Sequence, residues 1–198
     1  MQTTGEHPPL ILASSSPYRK ELLTRLGLPF TSISPAIDEK RIAHETGEQL
    51  VLRLAVEKAG RVAEDHNNAI IIGSDQVLLL GDEVLSKPGS HENAVRQLEK
   101  ISGKQVVFLT GLCVLNSGKK TCQKECVPFR VTFRSLDAGE IERYLDREKP
   151  YDCAGSFKSE ALGVTLIAGT DGSDNTALIG LPLVKLAMML RKEGFMLP

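Results

Sequence analysis

The chain has 198 residues, of which 41% are hydrophobic and 25% are charged, and this composition excludes disordered and fibrous proteins. No stretch approaches the roughly 18 consecutive apolar residues of a membrane span, and the start MQTTGEHPP lacks the basic and apolar regions of a signal peptide. The formal net charge of -1 argues against a nucleic-acid coat protein. We therefore expect a cytoplasmic protein that binds neither nucleic acid nor membrane.

Strands and helices are predicted to alternate along the chain. Strands are indicated by apolar, β-branched runs, and helices by apolar residues at helical spacing between capping signals. In chain order, the predicted elements are a strand at Leu10–Ala13, a helix from Pro17 to just before Gly27, a strand at Phe30–Ser34, a helix from Thr46 to about Asp65, a strand in AIIIGSDQV that ends in Gly73-Ser74-Asp75, a hairpin around Gly81-Asp82, a helix from Ser90 to about Ile101, strands at 105–116 and 121–133, a helix from Asp137 to about Lys149, a strand at 163–169 and a helix between Pro182 and Gly194. This order predicts an α/β fold with a mixed β-sheet and flanking helices, in one domain over residues 1–198 with residues 1–9 as a flexible extension.

The first predicted helix begins with unusual chemistry. Ser14, Ser15 and Ser16 precede it, and Arg19 and Lys20 lie in its first turn, where the helix dipole disfavours cations. The serine hydroxyls, the backbone amides and Arg19 would together suit a phosphate group. The alternative is that Ser16 only caps the helix and that both cations are solvated.

Two lysines lie where their direction is constrained. Lys58 occupies the apolar stripe of the second helix, between Leu54 and Val62, so its ammonium is expected to point inward. Lys87 precedes Pro88, which holds its backbone extended. The alternative for each is an ordinary surface lysine, with Lys58 extending its ammonium to solvent at the helix edge.

Three carboxylates are candidates for a metal site. Asp75 is predicted to follow a buried strand directly, where open α/β sheets place ligand-binding residues, although an Asp there also forms turns. Asp38 and Glu39 lie in a charged loop, where carboxylates are usually solvated. Together these side chains would supply the oxygen ligands that Mg²⁺ or Mn²⁺ takes alongside substrate phosphates.

The four cysteines, at 113, 122, 126 and 153, show no C-x-x-C spacing. Cys122 and Cys126 are expected on one face of a strand. In a reducing compartment they are predicted to be reduced structural thiols.

A family resemblance covers nearly the whole chain, from about Leu10 to Arg191. The segments LILASSSPYRKELL, AIDE, RLAVEKA, IIGSDQV, SKP and CAGSFKSE resemble, in order, those of the Maf family of nucleotide pyrophosphatases. The GSDQV and CAGSFKSE segments are similar to those of the subfamily that acts on 7-methyl-GTP. The resemblance implies a fold similar to the inosine triphosphate pyrophosphatases, hydrolysis of a nucleoside triphosphate to the monophosphate and pyrophosphate with a divalent metal, and a homodimer.

The resemblance also implies roles for individual residues. Ser14 and Arg19 would bind phosphate, Glu39 would bind the metal, Lys58 and Lys87 would hold the triphosphate, and Asp75 would act as general base and metal ligand. Because the helix dipole disfavours Arg19 as long as no anion neutralises it, we expect the ligand-free protein to lose no stability when Arg19 is removed. Two alternatives remain open: a dTTP or UTP pyrophosphatase, and a nucleotide-binding regulator of septum formation with incidental hydrolysis.

By the same resemblance, Tyr18, Gln76 and Glu160 would select the base. A ring at Tyr18 would favour the positively charged base of 7-methyl-GTP through a cation–π interaction, although the subfamily usually has tryptophan there. Packing above Leu22 is the alternative for Tyr18. Glu160 would accept the adjacent N–H donors of guanine, and Gln76 would contact the sugar or base.

Overall fold

A mixed β-sheet of seven strands forms the centre of the computed structural model, which describes residues 7–198. Its strands are β1 (Leu10–Ala13), β2 (Thr31–Ile33), β3 (Ile70–Leu80), β4 (Glu83–Leu85), β5 (Gln105–Asn116), β6 (Thr121–Phe133) and β7 (Ile167–Asp171). The spatial order is β2-β1-β3-β5-β6-β7, and β4 pairs with β3. β1 runs parallel to β2 and β3, whereas the pairings of β3 with β4 and β5, of β5 with β6 and of β6 with β7 are antiparallel.

Helices cover both faces of this sheet. They are α1 (Pro17–Thr24), α2 (Gly47–Ala63), α3 (His91–Ile101), α4 (Ala138–Glu148), α5 (Asn175–Ile179) and α6 (Leu183–Lys192), with short 3-10 turns at Ala154–Ser156 and Leu162–Leu166. Within residues 7–198, no helix combines the length and the apolar character needed to cross a membrane.

The alternation of side chains along β1 assigns each helix to a face. Ile11 and Ala13 pack with Ala55 and Ala59 of α2 on one face, whereas Leu10 and Leu12 pack with residues of α1 and α6 on the other. Because successive strand side chains point to opposite faces, a strand covered on both sides is apolar at every position. A second apolar cluster joins α3 and α4 to β3, β5 and β6.

Most predicted elements are confirmed. β5 and β6 have the predicted bounds, and the capping boxes of α2 and α4 are present, with Thr46 bonded to Gln49 and Asp137 to Glu140. Each of these elements is specified by residues next to it in the sequence.

Two predicted strands have wrong bounds, and one helix was not predicted. β3 does not end at Asp75 but continues to Leu80, because β5 pairs with it over this whole length. The predicted strand at 163–169 begins only at Ile167, since the preceding residues form a 3-10 turn. The short helix α5 was not predicted, because five residues carry too little periodicity.

The predicted flexible extension is too long. The Pro9 carbonyl accepts a hydrogen bond from the Ile70 amide at 2.9 Å, and the His7 ring stacks on Phe195 with 4.9 Å between ring centroids. The chain is therefore packed from His7 onward, and the rest of that predicted extension, residues 1–6, lies outside the described residues.

Candidate active site

A cavity of about 710 Å³ opens beside the end of β1. Its walls come from the loop between β1 and α1, from α2 and β3, from the segment after β4 and from residues 152–160. Its polar and aromatic-hydroxyl side chains are Ser14, Ser15, Ser16, Tyr18, Arg19, Glu39, Arg41, Lys58, Asp75, Gln76, Ser86, Lys87, Asp152, Cys153 and Glu160. Every site residue named from the resemblance thus lines one cavity. Asp38, the remaining candidate metal ligand, does not line the cavity. Its carboxylate accepts from the Lys40 amide and pairs with the Lys40 ammonium at 3.3 Å.

Sequence reasoning did not single out Arg41, Ser86, Asp152 or Cys153. Arg41 lies in the charged loop before α2 and donates to the Glu45 carbonyl. Cys153 is the first residue of the CAGSFKSE segment and Asp152 precedes it, so that segment was the available signal for this wall of the cavity. Arg41 and Ser86 had no such signal, because neither interrupts a pattern.

Lys58 joins the two candidate metal ligands. Its ammonium donates to Asp75 Oδ1 at 2.6 Å and lies 2.8 Å from Glu39 Oε1. Lys58 and Asp75 are 4% and 6% exposed, so this pair is buried, whereas Glu39 is exposed. Burial raises the pKa of the Glu39 carboxyl, but the Lys58 hydrogen bond and the charges of Lys58, Lys87 and Arg19 outweigh it and lower that pKa.

Two glycines let α2 approach the sheet closely enough for this pairing. A Cβ on Gly73 would lie 2.0 Å from the Ala55 carbonyl oxygen, and one on Gly111 would lie 2.2 Å from the Val51 carbonyl oxygen. Real Cβ atoms do not approach so closely, so these positions exclude every other residue while α2 stays in place. The close approach brings Lys58 on α2 beside Asp75 on β3.

The serine loop is held by its own hydroxyls. Ser16 Oγ accepts from the Arg19 amide at 3.4 Å and caps α1, and Ser14 Oγ accepts from the Ser16 amide at 3.1 Å. Ser32 Oγ donates to the Ser14 carbonyl at 2.7 Å. Ser14 is buried and Ser15 is exposed, so the loop and the α1 N-terminus present an ordered set of donors to the cavity.

Arg19 is fixed from a distant part of the chain. Its Nε donates to the Gly180 carbonyl at 2.8 Å, and Ser74 Oγ donates to the same oxygen at 2.9 Å. Burial lowers the pKa of the Arg19 guanidinium, and the charges of Asp75 and Glu39 oppose that shift. This hydrogen bond in the ligand-free protein indicates that removing Arg19 would cost stability, in contrast to the expectation from the helix dipole.

Gln76 ties β3 to α5. Its Nε2 donates to the carbonyls of Ala177 at 2.7 Å and Leu178 at 3.1 Å and contacts Thr110 Oγ1 at 3.0 Å. The amide nitrogen is thus engaged by the protein, and the oxygen is the part of this side chain left to meet a ligand. The predicted contact of Gln76 with the sugar or base would therefore use this oxygen as a hydrogen-bond acceptor.

Tyr18 and Glu160 lie on the same side of the cavity as Cys153. Burial and the neighbouring Cys153 and Asp152 raise the pKa of the Tyr18 hydroxyl, which keeps it neutral. The Lys158 ammonium lies 5.8 Å from the centroid of the Tyr18 ring. Glu160 is exposed and accepts from Ser159 Oγ at 3.3 Å, so its carboxylate remains accessible.

The cysteines are free within residues 7–198. Cys113 Sγ lies 3.3 Å from Cys122 Sγ across the β5–β6 pair, a proximity that the spacing did not indicate.

The carboxylate oxygens of Asp75 and Glu39 suit a divalent metal ion that prefers oxygen ligands. Asp75 Oδ2 and Glu39 Oε2 have no hydrogen-bond partner among the described residues, while their other oxygens lie within 3 Å of one nitrogen, that of Lys58. Two converging carboxylates with free oxygens are the protein ligands that Mg²⁺ typically takes beside phosphate. A separate group, His91, Glu142 and Asp146, has ligand atoms within 4.8 Å of one another, but these residues do not line the cavity.

Taken together, the fold and the cavity define an α/β protein with the charge pattern of a nucleotide polyphosphate site: basic side chains, a helix N-terminus and two carboxylates around one space. The fold is similar to that of the solved Ham1 protein of Staphylococcus aureus, with a TM-score of 0.54 and 15% identity, covering 93% of this chain and 99% of that one. The family model described as Maf-like protein matches residues 9–193, and the chain belongs to this family.

Relatives with higher identity cover almost the full length. A protein of Pseudomonas syringae pv. syringae named 7-methyl-GTP pyrophosphatase is 58% identical over 96% of this chain and 100% of its own length. A protein of Pseudomonas putida with the same name is 57% identical over 96% of this chain and 99% of its own. The recognition of the family and the α/β mixed-sheet fold are thereby confirmed.

Proposed function

We propose that this protein is a pyrophosphatase that hydrolyses 7-methyl-GTP to 7-methyl-GMP and pyrophosphate, removing a modified nucleotide from the pool. The observation that carries the proposal is the cavity in which Arg19, Lys58 and Lys87 surround the carboxylates of Asp75 and Glu39. The shared name of relatives at more than half identity over nearly the full chain supports the substrate.

The triphosphate binds at the N-terminus of α1. The Ser15 amide and the hydroxyls of Ser14–Ser16 donate to phosphate oxygens, and the guanidinium of Arg19 pairs with them beyond its bond to Gly180. The Ser14 and Ser16 amides are engaged within the protein, by the Leu12 carbonyl and by Ser14 Oγ. Lys87 is exposed, lines the cavity and acts by its charge on Glu39, and its ammonium pairs with the same phosphate oxygens. These donors neutralise the charge of the departing pyrophosphate.

Asp75 accepts the proton of the attacking water. Its Oδ1 is held by Lys58, so the proton is accepted at Oδ2, the same oxygen that is available to a metal. Water attacks the α-phosphorus, the bond from that phosphorus to the bridging oxygen of the pyrophosphate breaks, and its electrons leave with the pyrophosphate. Lys58 fixes the orientation of the base through the buried ion pair.

A divalent cation, Mg²⁺ or Mn²⁺, would be held by Glu39 and Asp75 together with substrate phosphate. When bound it would supply charge neutralisation on the phosphate oxygens and acidify a coordinated water.

The base lies against Tyr18 and Glu160. The neutral ring of Tyr18 attracts the cationic 7-methylguanine, and the accessible carboxylate of Glu160 accepts from its N1–H and N2–H₂ groups. Uracil and thymine present carbonyl oxygens that this carboxylate repels.

The first experiment measures pyrophosphate release from 7-methyl-GTP, GTP, dTTP, UTP and CTP with Mg²⁺ or Mn²⁺. We expect the highest kcat/KM with 7-methyl-GTP. A higher value with UTP or dTTP would assign the protein to the other substrate class of the family, and nucleotide binding without release would favour the regulatory alternative.

The second experiment tests the base. Asp75→Asn should lower kcat by about 10²–10⁴-fold while the protein stays folded. Asp38→Asn, an exposed carboxylate outside the cavity, is the matched control and should retain wild-type activity. A folded Asp75→Asn enzyme with near-wild-type kcat would remove Asp75 from this role.

The third experiment tests base selection. Glu160→Gln should narrow the ratio of kcat/KM between 7-methyl-GTP and UTP, because the amide can donate to a carbonyl edge. An unchanged ratio would show that Glu160 does not contact the base.

The proposal also includes a single folded domain, a homodimer and a cytoplasmic location. Light scattering on the purified protein tests the dimer, and limited proteolysis tests the domain.

A further inference from the structure

Lys158 contacts the aromatic ring that the proposed function assigns to the base. Its ammonium lies 5.8 Å from the Tyr18 ring centroid, within the range of a cation–π interaction. The backbone of Lys158 is anchored, because its amide donates to Tyr144 Oη at 2.9 Å. The backbone that carries this ammonium is therefore held beside the site.

Glu148 is the counter-charge of this ammonium. Its Oε2 lies 3.3 Å from Lys158 Nζ, and its Oε1 accepts from the Leu162 amide at 3.2 Å. The side chains of Lys158 and Glu148 are 24% and 12% exposed, so solvent screens the pair only in part. The Tyr18 ring therefore experiences the charge of Lys158 partly neutralised by Glu148.

Tyr18 lines the cavity, whereas Lys158 does not. A base bound against Tyr18 in the cavity and the Lys158 ammonium would therefore both interact with the Tyr18 ring. The ring attracts cations through its negative face, but a cation already placed on it repels a second one. A cationic base experiences this repulsion and a neutral base does not.

We propose that Lys158 is a specificity-determining residue that limits the preference of the Tyr18 ring for a positively charged base, and that Glu148 sets the strength of this limit. The proposal rests on the proposed function, since it concerns the base bound at the same cavity. The selection that Lys158 would affect is that between nucleotides with a cationic purine and nucleotides with a neutral purine.

The experiment compares kcat/KM for 7-methyl-GTP with that for GTP, at a pH where the 7-methylguanine ring is cationic. Because both nucleotides carry the same triphosphate, effects on phosphate binding cancel in this ratio. Lys158→Met should raise the ratio by about threefold to tenfold, because it removes the competing charge and keeps the apolar length. Glu148→Gln should lower the ratio, because its carbonyl still accepts from Leu162 while the counter-charge is lost.

Two control variants separate this effect from general ones. Lys158→Arg keeps the charge and should keep the wild-type ratio. Lys20→Met removes an exposed cation from the same helix as Tyr18, outside the cavity, and should also leave the ratio unchanged.

The proposal would be overturned by an unchanged ratio in Lys158→Met. It would also be overturned by shifts of the same sign in Lys158→Met and Glu148→Gln, because opposite shifts are what distinguishes the proposed role from a purely structural one. If thermal melting shows Lys158→Met to be unfolded, Lys158→Gln serves the same test. If the wild-type protein releases no pyrophosphate from either nucleotide, the proposed function fails, and the same ratios are then taken from calorimetric affinities for 7-methyl-GMP and GMP.

Discussion

Replacing Lys58 by methionine removes the cation from a buried ion pair and leaves the Asp75 carboxylate without its partner. The two residues are 4% and 6% exposed, and the bond between them is 2.6 Å long. Removing one member of a buried pair costs about 3–5 kcal/mol, because the remaining charge stays desolvated. The second contact of Lys58, with Glu39, involves a side chain that is 52% exposed and is worth at most about 1 kcal/mol.

These magnitudes predict an order of stabilities. Lys58→Met should lose about 3–5 kcal/mol of unfolding free energy, and Glu39→Gln should lose less than about 1 kcal/mol. The double variant Lys58→Met/Asp75→Asn should show a clearly smaller loss than Lys58→Met alone, because no unpaired charge remains buried. Urea denaturation at neutral pH, with unchanged m-values, measures all three. A Lys58→Met protein within about 1 kcal/mol of wild type, or a double variant no more stable than the single one, would refute the reasoning.

Further predictions concern Arg19, Gly73 and Cys153. Arg19→Ala should lose about 1–2 kcal/mol of stability in the ligand-free protein, through its bond to Gly180, together with most of the pyrophosphate-releasing activity; a variant of unchanged melting temperature would contradict the structural part. Gly73→Ala should lose at least about 1–3 kcal/mol or fail to fold, because the methyl group meets the Ala55 carbonyl, and calorimetric melting tests this. Burial raises the pKa of the Cys153 thiol to about 12, so a disulfide reagent should label it slowly at pH 8 and faster as the pH rises, although the residue lines the cavity; complete labelling within minutes at pH 8 would show a more accessible thiolate.

Elements with local signals were predictable from the sequence. The capping boxes at Thr46 and Asp137 bring donor and acceptor together within one turn, and β5 and β6 are bounded by the turn-like residues at 102–103 and 117–120. The inward position of Lys58 also followed from helical spacing alone.

Features that depend on distant partners were not predictable in this way. The extension of β3 past Asp75 results from its pairing with β5, more than thirty residues later, as the register of Gln76 with Thr110 shows. The bonds of Arg19 to Gly180 and of Gln76 to Ala177 cross 161 and 101 residues. No periodicity encodes such contacts, and the resemblance identified the cavity residues without their mutual geometry.

Gly180 has consequences for the order in which the cavity is completed. Its backbone has a φ of 116°, which favours glycine, and its carbonyl receives both Arg19 and Ser74. A growing chain that has not yet reached this residue already contains the serine loop, Lys58 and Asp75, yet nothing holds the guanidinium of Arg19 in place. The anion pocket around residues 14–19 is thus finished by a carbonyl that is made 161 residues after Arg19, so a nascent chain has the charges of the site before it has their arrangement.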